Sequence, residues 1–278
     1  MTTASTRITI LIDNQSVDGC EAEHGFSLWL ETEGRRILFD TGQGEAFIRN
    51  AETLGIDPGL ADTIVLSHGH YDHSGGLPQV LRRARKADLY CHPAAVSARY
   101  SIRNGRPRNL RMPSTSLIAL DRLPLEQLHW LQRPQTLTGC IGLSGPIPRV
   151  SGFEDTGGPF FLDRQGLRPD PIDDDLALWV RTGGGLIVIV GCAHAGLVNT
   201  LHHVQRCSDG IPIRAVIGGF HLLNASSRRL ERTLAALRQF SPDLIVPCHC
   251  TGGTAVAALR DIFGHRVSPG AAGARYRF

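Results

Sequence analysis

Four potential metal ligands lie within six residues of this chain, and they constrain its fold more than any other feature. These ligands are His68, His70, Asp72 and His73. Imidazole and carboxylate groups are good zinc ligands, and a tight loop can aim all four inward, whereas a helix would disperse them. The apolar run 63–66 precedes the loop, and Gly75-Gly76 and a helical pattern follow it. We therefore predict a metal centre at the end of a buried strand.

The residues before this loop predict strands and one helix. Apolar, β-branched runs predict strands over 8–12, 26–30 and 36–39, and the last of these leads into the turn Asp40-Thr41-Gly42. The helical spacing of apolar residues in 46–54, followed by a glycine, predicts a helix there.

The second half repeats a strand, a loop and a helix three times, and each loop carries a histidine. The predicted strands are 186–190, 213–217 and 244–246, and the histidines that follow them are His194, His221 and His249. Strands that alternate with helices predict an α/β fold with functional loops at the strand ends. We expect the three loops to converge on one site.

Residues 94–137 lack a clean periodicity and predict an irregular insertion at the rim of a single domain that spans 1–278. Five arginines without an acidic neighbour occur there: Arg99, Arg103, Arg106, Arg108 and Arg111. Such a stretch is typical of a binding loop or, alternatively, of a solvated and mobile surface.

Composition limits the classes of partner. The hydrophobic content of 42% supports a sizeable core, and a net charge of +3 is too small to indicate nucleic-acid binding. No apolar run reaches the ~20 residues that cross a membrane, and the N-terminus lacks a signal-peptide core. Seven scattered cysteines predict free thiols rather than disulfides. We expect a cytoplasmic protein with a small-molecule substrate and no nucleic-acid or membrane partner.

The motif His68-x-His70-x-Asp72-His73 resembles the signature of the metallo-β-lactamase superfamily. This resemblance implies an αβ/βα sandwich of four layers. It also implies that the first two histidines bind one metal, that Asp72 and His73 bind a second, and that a water or hydroxide lies between them. Asp40 matches the earlier aspartate that supports the loop in this family.

Further motifs along nearly the whole chain resemble one branch, the dihydropterin ribofuranosylaminobenzene-phosphate synthase-like proteins. The segments concerned are Asp13-Asn14, Glu23-His24-Gly25-Phe26-Ser27, Ile147-Pro148-Arg149, Gly191-Cys192-Ala193-His194-Ala195-Gly196, Gly218-Gly219-Phe220-His221-Leu222 and His249-Cys250-Thr251-Gly252. The resemblance implies a metal-dependent hydrolase, or a synthase or transferase in a pterin-related pathway.

The remaining ligands are predicted from the late loops. We expect His249 to be the last ligand and His194 the additional one, with His221 as the rival of His194. Cys192 is either a packed residue or a ligand, since thiolate suits zinc. We assign His221, Arg149 and Asn14 to substrate binding. The other histidines are expected to have no role in the centre: His24, His92, His129, His202, His203 and His265.

These features predict a zinc-dependent hydrolase. Two zinc ions, or iron or manganese in their place, would lower the pKa of a shared water toward ~7, and Asp72 would bind metal and orient the resulting hydroxide. The arginines of 99–111 predict an anionic, phosphorylated substrate. The alternatives are an iron-binding redox protein of the same fold and a non-catalytic metal-binding sensor.

Overall fold

Two large β-sheets form the centre of the computed structural model, which describes residues 5–278, so that residues 1–4 of the predicted domain lie outside it. The described strands are β1 (Arg7–Ile12), β2 (Ser27–Thr32), β3 (Arg35–Phe39), β4 (Thr63–Val65), β5 (Asp88–Cys91), β6 (Tyr100–Arg103), β7 (Arg106–Asn109), β8 (Leu128–Trp130), β9 (Gln135–Thr136), β10 (Ile141–Leu143), β11 (Phe160–Phe161), β12 (Ala177–Thr182), β13 (Gly185–Val190), β14 (Ile213–Gly219), β15 (Leu244–Cys248) and β16 (Arg275–Arg277).

Helices follow many of these strands. The α-helices are α1 (Phe47–Thr53), α2 (Tyr71–Ser74), α3 (Leu77–Arg83), α4 (Ser114–Asp121), α5 (Leu197–Cys207), α6 (Ser227–Phe240) and α7 (Gly253–Phe263). Short 3₁₀ helices span Pro58–Leu60, Pro93–Val96, Leu125–Gln127, His249–Thr251 and Gly264–Arg266. The strands and helices expected from periodicity in both halves occur within a few residues of their predicted bounds.

Burial places these elements in four layers. One sheet has the strand order β16-β1-β2-β3-β4-β5-β8, and the other has the order β15-β14-β13-β12-β10-β9. Apolar side chains such as Leu28 and Ile189 fill the space between the sheets. The outer face of the second sheet packs on α5, α6 and α7 through residues such as Leu201. The outer face of the first sheet packs on α1 and α3 through residues such as Phe47. The predicted αβ/βα sandwich is confirmed.

The strand register explains why distant loops meet. Strands β13, β14 and β15 are parallel, with Val190 opposite Gly218 and Gly219 opposite Cys248. The loops that follow these strands therefore leave the same edge of the sheet. In the first sheet β3 and β4 are also parallel, with Phe39 opposite Val65, so that Asp40 lies beside the start of the histidine motif.

The segment 94–137 is more regular than its sequence indicates, and the expectation of an irregular insertion needs correction. Strands β6 and β7 form a hairpin that joins β11 in a three-stranded sheet, and β8 extends the seven-stranded sheet beside β5. The strands are only two to four residues long, which is too short for a periodicity to emerge from the sequence. Within residues 5–278, none of the helices is both long enough and apolar enough to cross a membrane.

Candidate metal centre

Asp40 contacts both ends of the histidine motif. Its Oδ1 accepts a hydrogen bond from the Ser67 backbone N–H at 2.7 Å, and its Oδ2 accepts one from Ser67 Oγ at 2.6 Å. The same Oδ2 lies 2.7 Å from His73 Nδ1. Burial opposes a charge on His73, but Asp40 outweighs this effect and raises the pKa of His73 to about 9. A carboxylate that accepts from Nδ1–H fixes the ring and leaves Nε2 for a metal.

A buried ion pair supports the middle of the motif. The Gly69 N–H donates to Asp174 Oδ2 at 2.7 Å, and Asp174 also pairs with Arg99, whose Nε lies 3.0 Å from Asp170. The side chain of Arg99 is only 1% exposed. The expectation that Arg99 holds an anion over the metals is therefore wrong, because its guanidinium is buried against two carboxylates that need its charge.

Three histidines form what we call the first ligand group: His68, His70 and His194. His68 Nε2 lies 3.0 Å from His70 Nδ1, and the His194 ring centroid lies 4.8 Å from that of His68 and 4.9 Å from that of His70. Burial lowers the pKa of each imidazole well below its usual value, and nearby positive groups act in the same direction. Neutral imidazole is the form that binds metal.

The second ligand group consists of Asp72, His73 and His249. His249 Nε2 lies 3.4 Å from Asp72 Oδ2, and the His73 and His249 ring centroids are 5.2 Å apart. Burial would raise the pKa of Asp72, but close contacts with His24 and His249 outweigh burial and hold that pKa well below its usual value. This group therefore carries a carboxylate, whereas the first ligand group carries imidazoles alone.

His24 was expected to lie outside the centre, and this expectation is wrong. Its Nε2 lies 3.1 Å from Asp72 Oδ2, on the open side of the second ligand group, with its side chain 55% exposed. Its ring centroid is 4.9 Å from that of His249. The Glu23-to-Ser27 motif was the signal in the sequence, but it gave no reason to connect His24 with a loop almost fifty residues away.

Cys192 lies between the two groups. Its Sγ is 3.1 Å from His73 Nε2, and donor atoms of Cys192, His68 and His194 lie within 4.8 Å of one another, as do those of Cys192, His73 and His249. Its Sγ also lies 3.3 Å from that of Cys250. The thiol therefore lines the centre and is not a remote packed residue.

His221 lies next to the first ligand group but faces the thiols. Its ring centroid is 4.2 Å from that of His194, and its donor atom lies within 4.8 Å of Cys192 and Cys250. His194 rather than His221 thus accompanies His68 and His70. The buried Nδ1 of His221 has no hydrogen-bond partner among the described residues.

Left-handed backbone conformations cluster at these loops. Asp40, Ala193, His221 and His249 have φ between 46° and 58°, a region that non-glycine residues rarely adopt. Each lies just after a strand of the two large sheets. Strained residues persist where the surroundings over-determine them, often at functional sites. The conformation turns the chain sharply at the sheet edge, directly beside the two ligand groups.

Asn14 and Arg149, expected to bind substrate, use their polar groups within the protein instead. Asn14 Oδ1 accepts from His249 Nδ1 at 2.8 Å and from the Gly25 N–H at 3.2 Å. Arg149 Nη1 donates to the His194 carbonyl at 2.6 Å, and its Nη2 donates to the Pro171 carbonyl. Because these groups are already engaged, the contacts favour a positioning role for both residues.

An aromatic ring and an arginine lie next to the centre on the three-stranded sheet. The Phe160 ring centroid is 5.5 Å from that of His70 and 5.3 Å from that of His194. Arg108 Nη2 donates to the Tyr71 hydroxyl at 2.6 Å, directly beside Asp72 in the chain. Arg108, Arg103 and Arg106 are exposed. These three guanidinium groups are therefore open to solvent, and that of Arg108 also contacts Tyr71.

The orientation of the rings fits a metal centre. His68, His73, His194 and His249 each have an oxygen acceptor at Nδ1, which is respectively Ser67 Oγ, Asp40 Oδ2, the Thr156 carbonyl and Asn14 Oδ1. In the neutral ring, which is the form that binds metal, this arrangement places the hydrogen on Nδ1 and the lone pair on Nε2. The buried Nε2 atoms of His70 and His194 have no partner among the described residues, and a buried nitrogen without a partner is costly unless another group, such as a cation, satisfies it.

Comparison with known proteins identifies relatives over most of the chain. The sequence model of the metallo-beta-lactamase superfamily matches residues 21–249. An uncharacterised protein of Methanocaldococcus jannaschii is 32% identical over 265 residues, which are 93% of this chain and 97% of that protein. The 7,8-dihydropterin-6-methyl-4-(beta-D-ribofuranosyl)-aminobenzene-5'-phosphate synthase of the same organism is 30% identical over 243 residues, 83% of this chain and 82% of the enzyme.

A solved structure agrees with these matches. The crystal structure of a metal-dependent hydrolase of the beta-lactamase superfamily superposes with a TM-score of 0.82 and 32% identity, covering 98% of both chains. The resemblances inferred from the motifs, both to the superfamily and to the synthase-like branch, are confirmed.

Proposed function

This chain belongs to the metallo-beta-lactamase superfamily, and from that membership we propose that it is a dinuclear, zinc-dependent hydrolase acting on a small anionic substrate. One observation carries the proposal. Four histidines each have Nδ1 held by an oxygen acceptor, so that four Nε2 lone pairs remain for metal on the two sides of Cys192. A set of such oriented rings is what catalytic metal sites require and what a purely structural polar core does not.

The two ligand groups suit two ions. His68, His70 and His194 would hold one ion, and Asp72, His73 and His249 the other, with the Cys192 thiol within reach of both. Imidazole, carboxylate and thiolate together favour zinc over magnesium or calcium, which prefer oxygen ligands, and leave iron or manganese as alternatives. Bound ions of this kind supply a water of lowered pKa as nucleophile and polarise the oxygen under attack.

Asp72 is the residue we assign to catalysis. Its Oδ2 lies 3.1 Å from His24 Nε2 and 3.4 Å from His249 Nε2, and these contacts outweigh burial and hold the pKa of the carboxyl low, so that Asp72 remains ionised. An ionised carboxylate in the second ligand group can accept a proton from a water and orient its lone pair toward the substrate. His24, on the open side, can donate a hydrogen bond or deliver a proton to Asp72 from solvent.

The exposed hairpin supports an anionic substrate. Arg103 ends β6, Arg106 and Arg108 lie on β7, and Arg108 reaches Tyr71 next to Asp72. Guanidinium groups recognise phosphate through paired hydrogen bonds. The name of the synthase from Methanocaldococcus jannaschii also contains a phosphate. We therefore propose a phosphorylated small molecule as the substrate class.

The test is a panel of phosphomonoesters, phosphodiesters, thioesters and lactones, assayed with zinc-loaded protein, with chelated protein and with Asp72→Asn. Asp57→Asn, an exposed aspartate that caps a 3₁₀ helix, is the matched control. We expect turnover of an anionic member that requires zinc, is lost in Asp72→Asn and is retained in Asp57→Asn. Turnover that persists in chelated protein, or in Asp72→Asn at saturating zinc, contradicts the proposal.

A synthase or transferase reaction is the second candidate, because a relative covering most of the chain is named as a synthase. The two reactions differ in the acceptor of the transferred group. Isotopically labelled water separates them, since hydrolysis incorporates solvent oxygen into a product and transfer to another acceptor does not. Unlabelled product with a dependence on a second substrate would favour the synthase.

A further inference from the structure

We propose that Cys192 and Cys250 are a redox-sensitive thiol pair, which a hydroperoxide converts to a disulfide in the metal-free protein and which then prevents the centre from binding metal. The proposal rests on the proposed function only in that it places metal beside Cys192. Its starting point is the 3.3 Å separation of the two Sγ atoms, which belong to loops 58 residues apart in the chain.

The fold holds the two thiols in contact. Cys192 follows β13 and Cys250 lies in the 3₁₀ helix after β15, while β14 runs between these strands. Gly219, at the end of β14, makes room: a Cβ there would lie 2.6 Å from Cys250 Sγ and 2.6 Å from the Gly191 carbonyl. A disulfide has an S–S length of about 2.05 Å, so that the sulfurs need to approach by a little over 1 Å.

The chemistry needs one equivalent of a hydroperoxide. Cys250 is 9% exposed and Cys192 only 2%, so Cys250 is the thiol that the oxidant reaches first. Its sulfur attacks the peroxide, the O–O bond breaks, and an alcohol or water leaves while a sulfenic acid forms. Cys192 then attacks that sulfur, the S–O bond breaks and water leaves. Two thiols and one hydroperoxide thus become one disulfide, one alcohol or water, and one water.

Metal and disulfide exclude each other in this geometry. Cys192 Sγ lies 3.1 Å from His73 Nε2 and within reach of both ligand groups, so it would be one of the side chains that hold bound ions, and its thiolate would then not be available for a disulfide. In the disulfide the Cys192 sulfur is displaced toward Cys250 and no longer offers a thiolate. The disulfide therefore forms only after metal is lost, and reduction by a dithiol restores the centre.

The experiment treats zinc-loaded and chelated full-length protein with hydrogen peroxide, quenches with an alkylating reagent, and maps peptides by mass spectrometry. We expect a link between Cys192 and Cys250 in the chelated protein, with the mass of two hydrogens lost and two of the seven cysteines no longer alkylated. The zinc-loaded protein should resist. Zinc uptake, followed with a chromophoric chelator, should be lost after oxidation and recovered after dithiothreitol.

Cys250→Ser should abolish both the link and the loss of zinc uptake, and Cys250→Ala repeats the test if the serine variant does not fold, as judged by circular dichroism. Cys248→Ser is the matched control, since Cys248 is buried two residues away but bonds to the Val246 carbonyl instead of a thiol. Chelated protein without the link, or equal oxidation with and without zinc, overturns the proposal. Because this readout is a covalent bond, it stands even if no hydrolase activity is found.

Discussion

The two ligand groups differ in what prepares them for metal. The first group, His68, His70 and His194, consists of deeply buried imidazoles whose neutrality follows from desolvation. The second group contains the Asp72 carboxylate. Two residues outside the ligand set contact this group, His24 at Asp72 and Asn14 at His249. Burial sets the charge state of the first group, whereas contacts between charged and polar side chains outweigh burial in setting the charge states of Asp72 and His73 in the second. We therefore expect single substitutions to affect metal binding in one group and not in the other. The largest losses of turnover should come from substitutions in the second group.

The largest expected effect is that of Asp72→Asn. Removal of the charge eliminates a ligand and the group that orients the nucleophile, so kcat should fall by about 10²–10⁴-fold. The midpoint of thermal unfolding, measured in saturating zinc, should change by no more than about 5 °C, because the amide fills the same space. Steady-state kinetics and calorimetry measure the two effects. A large stability loss with a matching loss of turnover would make Asp72 a structural residue and erase the contrast between the groups.

Asn14→Ala should weaken only the second group. Asn14 Oδ1 fixes the tautomer of His249, and loss of such a partner lowers metal affinity by about 10–100-fold. Competition with a chromophoric chelator should show that one ion binds more weakly and that the affinity for the other is unchanged. Asn109→Ala, on the exposed hairpin, should change neither affinity. If both ions weaken equally, the two groups are not independent.

The sequence could predict some parts of the metal centre and not others. The motif from His68 to His73 is local, so its loop and its position after a buried strand could be inferred from neighbouring residues. His194 and His249 could be inferred as residues at strand ends, but their division between the groups depends on the register of β13, β14 and β15. That register arises from packing between sheets and has no local signature.

Residues that act through others were the hardest to predict. Asn14 and Arg149 carry groups that suit a substrate, and only the structure shows those groups engaged with His249 and the His194 backbone. Arg99 resembled its exposed neighbours in sequence, yet Asp170 and Asp174, more than seventy residues away, neutralise it in the interior. His24 reaches Asp72 only because of the fold.

The exposed arginines should produce a smaller, substrate-selective effect. Replacing Arg103, Arg106 and Arg108 by alanine should raise KM for an anionic substrate by about tenfold and leave a neutral analogue unchanged, since exposed charge contacts are individually weak. The increase should shrink at high salt, where the attraction is screened. Equal changes for both substrates would assign the hairpin to the protein surface.

His24→Gln should have the smallest effect. The amide can still donate to Asp72 but cannot carry a proton, and the position is solvent-exposed, so turnover should fall by less than about fivefold. Metal content should not change. A loss of the second ion in this variant would move His24 into the second ligand group and revise its boundary.

The central claim, that two separate ligand groups each hold one ion, is tested most directly by elemental analysis of zinc-loaded protein and of two variants. We expect about two zinc ions per chain in the unaltered protein and about one in each of His68→Ala and His249→Ala. Their combination should retain neither ion. One ion per chain in the unaltered protein, or a His249→Ala variant that still binds both, would contradict the division into two groups.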